Sequence, residues 1–136
     1  MKKNDCFLDT NILLYAFTEG DPRSEPARDL LLGGGTFSVQ VANEFADVSR
    51  RKLGWTWNDI AAALDSIRRC LGTPLPLDHE THRAALDLSS RYGFRFYDSL
   101  IIASAKLIGC RTLVTEDLQH GQTVDGVEIR NPFLPA

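Results

Sequence analysis

The stretch Cys6-Phe7-Leu8-Asp9-Thr10-Asn11-Ile12-Leu13-Leu14 changes its period in the middle. Three apolar residues in a row suit a short buried strand, and Ile12, Leu13, Leu14 and Ala16 then fall on one apolar helical pattern. Asp9 stands at the junction, at the carboxyl end of the strand. A strand feeding a helix is the first half of a right-handed βαβ unit. Repetition of that alternation implies a mostly parallel sheet covered on both faces. Such sheets bind ligands beyond the carboxyl ends of their strands, so Asp9 is a candidate site residue on topology alone.

The alternation continues outward. After turn signals at Gly20, Asp21 and Pro22, Pro26 is placed to open a helix that runs through Leu32 and is ended by Gly33-Gly34-Gly35. Thr36 to Ser38 predicts a second brief strand. Val41, Phe45 and Val48 then recur at helical spacing to about Leu53, with Glu44 in the first turns and Asp47 one turn on. Trp57 to Leu71 predicts a helix capped by Thr56 or Asn58. Pro74 and Pro76 flank a short extended piece. Asp78 is an N-cap candidate for a helix from His79 to Tyr92 closed by Gly93, and Asp98 for another running through Ile108 to Gly109. Thr112 to Val114 predicts a strand, from whose carboxyl end Thr115-Glu116-Asp117 departs. An Asp125-Gly126 turn followed by Val127 to Ile129 predicts an added edge strand.

At 136 residues, 43% hydrophobic and 24% charged, residues 1–136 are expected to form one domain whose core needs no disulfide or structural metal. Cys6, Cys70 and Cys110 are odd in number and have no CxxC spacing, which excludes a zinc knuckle and a disulfide framework. Three reduced, mostly buried thiols in a cytoplasmic protein are expected. The N-terminal apolar stretch is interrupted by Asp9, Thr10 and Asn11, so it reads as neither a signal peptide nor a membrane span. A net charge of −3 and a pI near 5.5 do not by themselves announce a nucleic-acid binder. A cluster of acids holding a cation reverses that local field.

Four pieces in order, Phe7-Leu8-Asp9-Thr10-Asn11-Ile12-Leu13, Val41-Ala42-Asn43-Glu44-Phe45, Tyr97-Asp98-Ser99-Leu100-Ile101-Ile102-Ala103 and Thr115-Glu116-Asp117-Leu118, resemble the PIN-domain nucleases over nearly the whole chain. Within that family they resemble the toxins of VapBC-type toxin–antitoxin modules. The resemblance implies a three-layer α/β/α sandwich with a mostly parallel central sheet, in which Asp9, Glu44, Asp98 and Asp117 converge on Mg2+ or Mn2+. It also implies an RNA substrate cleaved to a 5′-phosphate and a 3′-hydroxyl, a cognate antitoxin and a homodimer. The donor types agree, because magnesium prefers oxygen ligands and keeps several waters, so a few carboxylates and a substrate phosphate suffice. Asp9 and Asp98 are expected to ligate directly, and Glu44 and Asp117 to ligate or to position water. Asn11, with the hydroxyls of Thr10 and Thr115, is expected to orient those carboxylates.

Each acid also has a plainer role open to it. Asp9 and Asp98 suit N-caps, Glu44 a solvated helix face, and Asp117 a turn in which Glu116 is the working acid; the motif favours Asp117. Asp47 reads as solvated, His79 and His82 as surface residues despite their i, i+3 spacing, and His120 as a loop residue. Candidate phosphate contacts are Arg50, Arg51 and Lys52, Arg91 and Arg95, and Arg23 and Arg28. Phe94, Phe96 and Tyr97 flank Arg95, an association that stacks unpaired bases in other proteins, although core packing is the expectation for Phe96 and Tyr97. Trp55 and Trp57 are expected to pack in the core or to line an antitoxin groove. Three other readings compete. An aspartate-based phosphohydrolase needs a second aspartate where this chain has Asn11. A receiver-like module needs a lysine at a late strand end, where Thr115 stands. A PIN fold used only for binding RNA or protein is the third, and the presence of all four acids argues against it.

Overall fold

A computed structural model of the protein describes residues 5–135. Its sheet comprises β1 (Cys6–Leu8), β2 (Thr112–Val114), β3 (Thr123–Val124) and β4 (Val127–Arg130) in the order β1-β2-β4-β3. The first three strands in that order are parallel, with Leu8 opposite Val114 and Val114 opposite Arg130; β3 returns antiparallel to β4. Six helices among the described residues complete an α/β/α sandwich: α1 (Thr10–Ala16), α2 (Ser24–Leu32), α3 (Val39–Arg51), α4 (Trp57–Leu71), α5 (His79–Tyr92) and α6 (Phe96–Ile108). None of these helices is long and apolar enough to cross a membrane.

The central strands β1 and β2 are buried along their whole length, as continuous apolar runs in parallel sheets must be. Phe7, Leu8 and Leu113 meet Ile101 and Ile102 of α6 in one cluster of core residues. Helix boundaries follow local capping chemistry. The Asp9 carboxylate accepts the Thr10 N–H at 2.6 Å, the Thr56 hydroxyl accepts from Asp59 N–H at 3.1 Å, and the Asp78 carboxylate accepts from Thr81 N–H at 2.9 Å. Gly93 closes α5 at φ 76°, a conformation that favours glycine. Cys6 and Cys110 are buried and Cys70 is half-buried.

Four boundaries differ from the sequence reading. Thr36 to Ser38 forms no regular strand; it makes two isolated parallel bridges, Phe7 to Thr36 and Ser38 to Leu75. The Val127 strand is not an edge, because β4 lies between β2 and β3. Helix α2 begins at Ser24, two residues before Pro26, which its first turn tolerates. Helix α6 begins at Phe96 with Arg95 in the cap position, so Asp98 lies inside the first turn and does not cap it.

Candidate functional site

Backbone hydrogen bonds extend the ladder just past the strand ends, from Asp9 N–H to the Val114 carbonyl at 3.0 Å and from Thr115 N–H to the Arg130 carbonyl at 3.0 Å. Parallel register therefore sets Asp9 beside Thr115 at the carboxyl edge of the sheet. The Thr115 hydroxyl donates to Asp9 Oδ2 at 2.7 Å and accepts the Asp117 N–H at 3.1 Å. One buried threonine thus fixes two acids relative to each other. Asn11 Nδ2, on the first turn of α1, lies 2.9 and 2.8 Å from the two Asp117 carboxylate oxygens. Its amide was expected to hold a carboxylate in place, and that carboxylate is Asp117's. The Thr10 hydroxyl does not share this work, since it is buried without a hydrogen-bond partner.

Glu44 enters from α3 and Asp98 from α6. They line one cavity of about 820 Å³ with Asp117, Asn11 and Thr10. Asp9, only 4% exposed, is not part of its wall. The four carboxylates nevertheless share one electrostatic neighbourhood. Burial pushes Asp9 up to about 6, against the hydrogen bonds from Thr115 and Thr10, and the charges of Asp117 and Asp98 push it further. Burial, then the charge of Asp9, pushes Glu44 up to about 7. Asp98 and Asp117 are also raised, burial again being the largest cause, with Arg95 opposing both shifts. Taking charged groups out of water and setting like charges together both favour protonation.

Among the described residues, no three Asp, Glu, His or Cys side chains form a group that would hold an ion as they stand. Both oxygens of Asp9 are already engaged by protein donors. The donor chemistry nonetheless fits a hard cation: four carboxylates in mutual repulsion, an unpartnered Thr10 hydroxyl on the cavity wall, and no histidine or cysteine in it.

Glu116 is held elsewhere. It accepts from the Tyr15 hydroxyl at 2.6 Å and from Arg23 at 3.0 Å, while Arg23 also grips Asp21 and lies over the Tyr15 ring. Sequence reasoning missed this network. It also missed Gln40, whose Nε2 lies 3.4 Å from Glu44 Oε2; the i, i+4 spacing on α3 was the available signal. Asp47 is exposed on the rim of the same cavity, where it pairs with Arg51. The expected phosphate contacts divide in two. Arg51, Lys52 and Arg95 line the cavity. Arg23 is committed to carboxylates, Arg28 to the carbonyls of Ala16 and Thr18, Arg50 to the Trp55 carbonyl, and Arg91 to Asp87 and Asp125. His79 is exposed, His82 packs edge-on against Phe96, and His120 Nδ1 accepts the Asn131 N–H. Trp55 packs edge-on against the core residue Phe45, whereas Trp57 is 61% exposed beneath the Arg50 guanidinium.

A family model described as PIN domain matches residues 6–124. No curated protein sequence matches. Several solved structures share the fold. A chain of a toxin–antitoxin complex from Klebsiella pneumoniae aligns with a TM-score of 0.70 at 21% identity, over 94% of this chain and 98% of its own. A chain of VapBC2 from Rickettsia felis, solved on a promoter DNA fragment, gives 0.65 at 21% identity, over 93% and 97%. VapC20 from Mycobacterium tuberculosis, described as a sarcin–ricin loop cleaving toxin, gives 0.64 at 18% identity, over 79% and 86%.

Proposed function

The chain belongs to the PIN domain family, and from that premise we propose that it is a divalent-metal-dependent endoribonuclease serving as the toxin of a type II toxin–antitoxin pair. The observation that carries this reading is one cavity lined by Glu44, Asp98 and Asp117, with the buried Asp9 beside it in the same electrostatic neighbourhood and the pKa of each acid raised. Acids held in such repulsion bind protons or a cation more tightly than isolated acids do.

In this reading Asp9 and Asp98 hold Mg2+ or Mn2+, and Glu44 and Asp117 complete the ligand set or orient the attacking water. When bound, the ion supplies positive charge for the scissile phosphate and for activation of water. Thr115 keeps Asp9 and Asp117 in register, and Asn11 fixes the plane of the Asp117 carboxylate. Arg51, Lys52 and Arg95 supply cations for phosphates beyond the cut. A cognate antitoxin and self-association as a homodimer belong to the same reading; the toxin–antitoxin complexes that share the fold support the antitoxin.

Purified protein is expected to cleave labelled RNA with Mg2+ or Mn2+ and to stop in excess EDTA. Asp9→Asn is expected to lose about a hundredfold or more in rate with its circular dichroism unchanged. Undiminished cleavage in EDTA, or by folded Asp9→Asn, overturns the reading.

A further inference from the structure

Core packing is the sequence expectation for Tyr97, yet the residue is 57% exposed. It lines the cavity that contains Glu44, Asp98 and Asp117 and directly precedes Asp98 on the first turn of α6. Its ring stands edge-to-face with Phe96 at 5.9 Å, and Phe96 is braced edge-on by His82 at 5.2 Å. The side chain is thus braced through Phe96, with more than half of the residue's surface open.

The cavity wall that Tyr97 shares carries three cations beside its acids. Arg95, two residues before it, lines the same cavity, and α3 contributes Arg51 and Lys52. Among the described residues Arg95 and Lys52 form no ion pair, and Arg51 holds only the exposed Asp47, a pairing that a phosphate displaces at little cost. An apolar protein partner is a poor match for such a wall, because interface cores are depleted of charge. An exposed aromatic ring that shares a cavity wall with cations matches a nucleobase and its flanking phosphates.

We propose that Tyr97 is the stacking platform for one unpaired base beside the cleaved phosphodiester, with Arg95 taking the phosphate on its own side and Lys52 and Arg51 those along α3. This rests on the nuclease reading and deepens it, because it names a residue that makes the site select unpaired RNA. A base inside a duplex has both faces covered by its neighbours and cannot stack on the ring without being extruded.

The test uses the full chain, a labelled unstructured RNA that the wild type cleaves, its duplex, and versions with single abasic positions around the cut. Tyr97→Ala is expected to raise KM about five- to hundredfold, the range of base stacking on an aromatic ring, with a smaller change in kcat. Tyr97→Phe should match wild type, and Tyr97→Leu should resemble Tyr97→Ala. One abasic position should cost the wild type a similar factor, and at that position Tyr97→Ala should add nothing. Wild-type KM in Tyr97→Ala, failure of Tyr97→Phe to rescue, or wild-type indifference to every abasic position overturns the proposal. A shifted elution volume of Tyr97→Ala together with that indifference assigns the ring to a protein interface instead. The abasic scan on wild type stands even if a variant folds poorly. If the wild type cleaves no RNA with any metal, the nuclease reading itself falls; if it cleaves and Tyr97 is dispensable, only the stacking role does.

Discussion

Glu44 is half-buried on α3 and is pushed up to about 7, while Asp9 reaches about 6. For an acid whose folded pKa lies above its unfolded value, the native state holds more protons than the unfolded state between the two values. Stability is then greatest below the unfolded pKa and is lost as pH rises through the folded one. The metal-free protein should therefore forfeit the contribution of this pair between about pH 4 and pH 7. Glu44→Gln should melt close to wild type at pH 5 and above it at pH 8. Thermal melts in EDTA at several pH values check this, and a pH-independent difference between the two proteins counts against it. The electrostatic grouping of the four acids was legible because each sits in a short motif at the end of a strand or on an early helical turn. The partners of Glu116 were not. Tyr15 and Arg23 precede it by 101 and 93 residues, and no local period links positions that only the tertiary fold brings together.

Where β3 turns into β4, Asp125 has φ 48°, the only positive value at a non-glycine among the described residues. It also accepts from Arg91 at 3.0 Å, Lys106 at 2.9 Å and Tyr92 at 3.3 Å, which ties the hairpin to α5 and α6. Asp125→Ala should destabilise, because alanine tolerates the left-handed backbone less well than aspartate, with about a few tenths of a kcal/mol more for the lost ion pairs. Asp125→Asn tolerates the left-handed conformation and should cost less. Urea denaturation of both variants separates backbone from charge; equal losses show that charge dominates. The element reading succeeded where a cap and a period coincided, as in α4 with Thr56 and α5 with Asp78 and Gly93. It failed where neighbours decide. Three extended residues from Thr36 to Ser38 look like a strand, but whether a full ladder forms depends on segments far away in sequence. There Gly35 passes so near the first strand that a Cβ would lie 2.9 Å from the Cys6 carbonyl oxygen. Asp98 drew the predicted cap of α6 three residues late because aspartate favours caps, yet Arg95 takes that position without a side-chain cap.

Across the whole molecule the four acids come from positions 9, 44, 98 and 117, so an ion held among them would cross-link segments spanning most of the chain. A ligand that binds only the folded state at a hundred times its Kd stabilises by about 2.7 kcal/mol. Saturating Mg2+ or Mn2+ should accordingly raise the melting temperature, and Asp98→Asn should abolish most of that rise; no rise at millimolar metal counts against a site here. Net charge of −3 hid the cations of the cavity, because composition averages over a surface on which Arg51, Lys52 and Arg95 line the same cavity as the acids. The sheet itself thins toward both borders. One ends in the two-residue β3 and the other in single bridges at Thr36 and Leu75. Edges this short offer another chain few unpaired N–H and C=O groups to continue, so the fold is guarded against edge-to-edge aggregation even while the cavity lined by Glu44, Asp98 and Asp117 stays open to solvent.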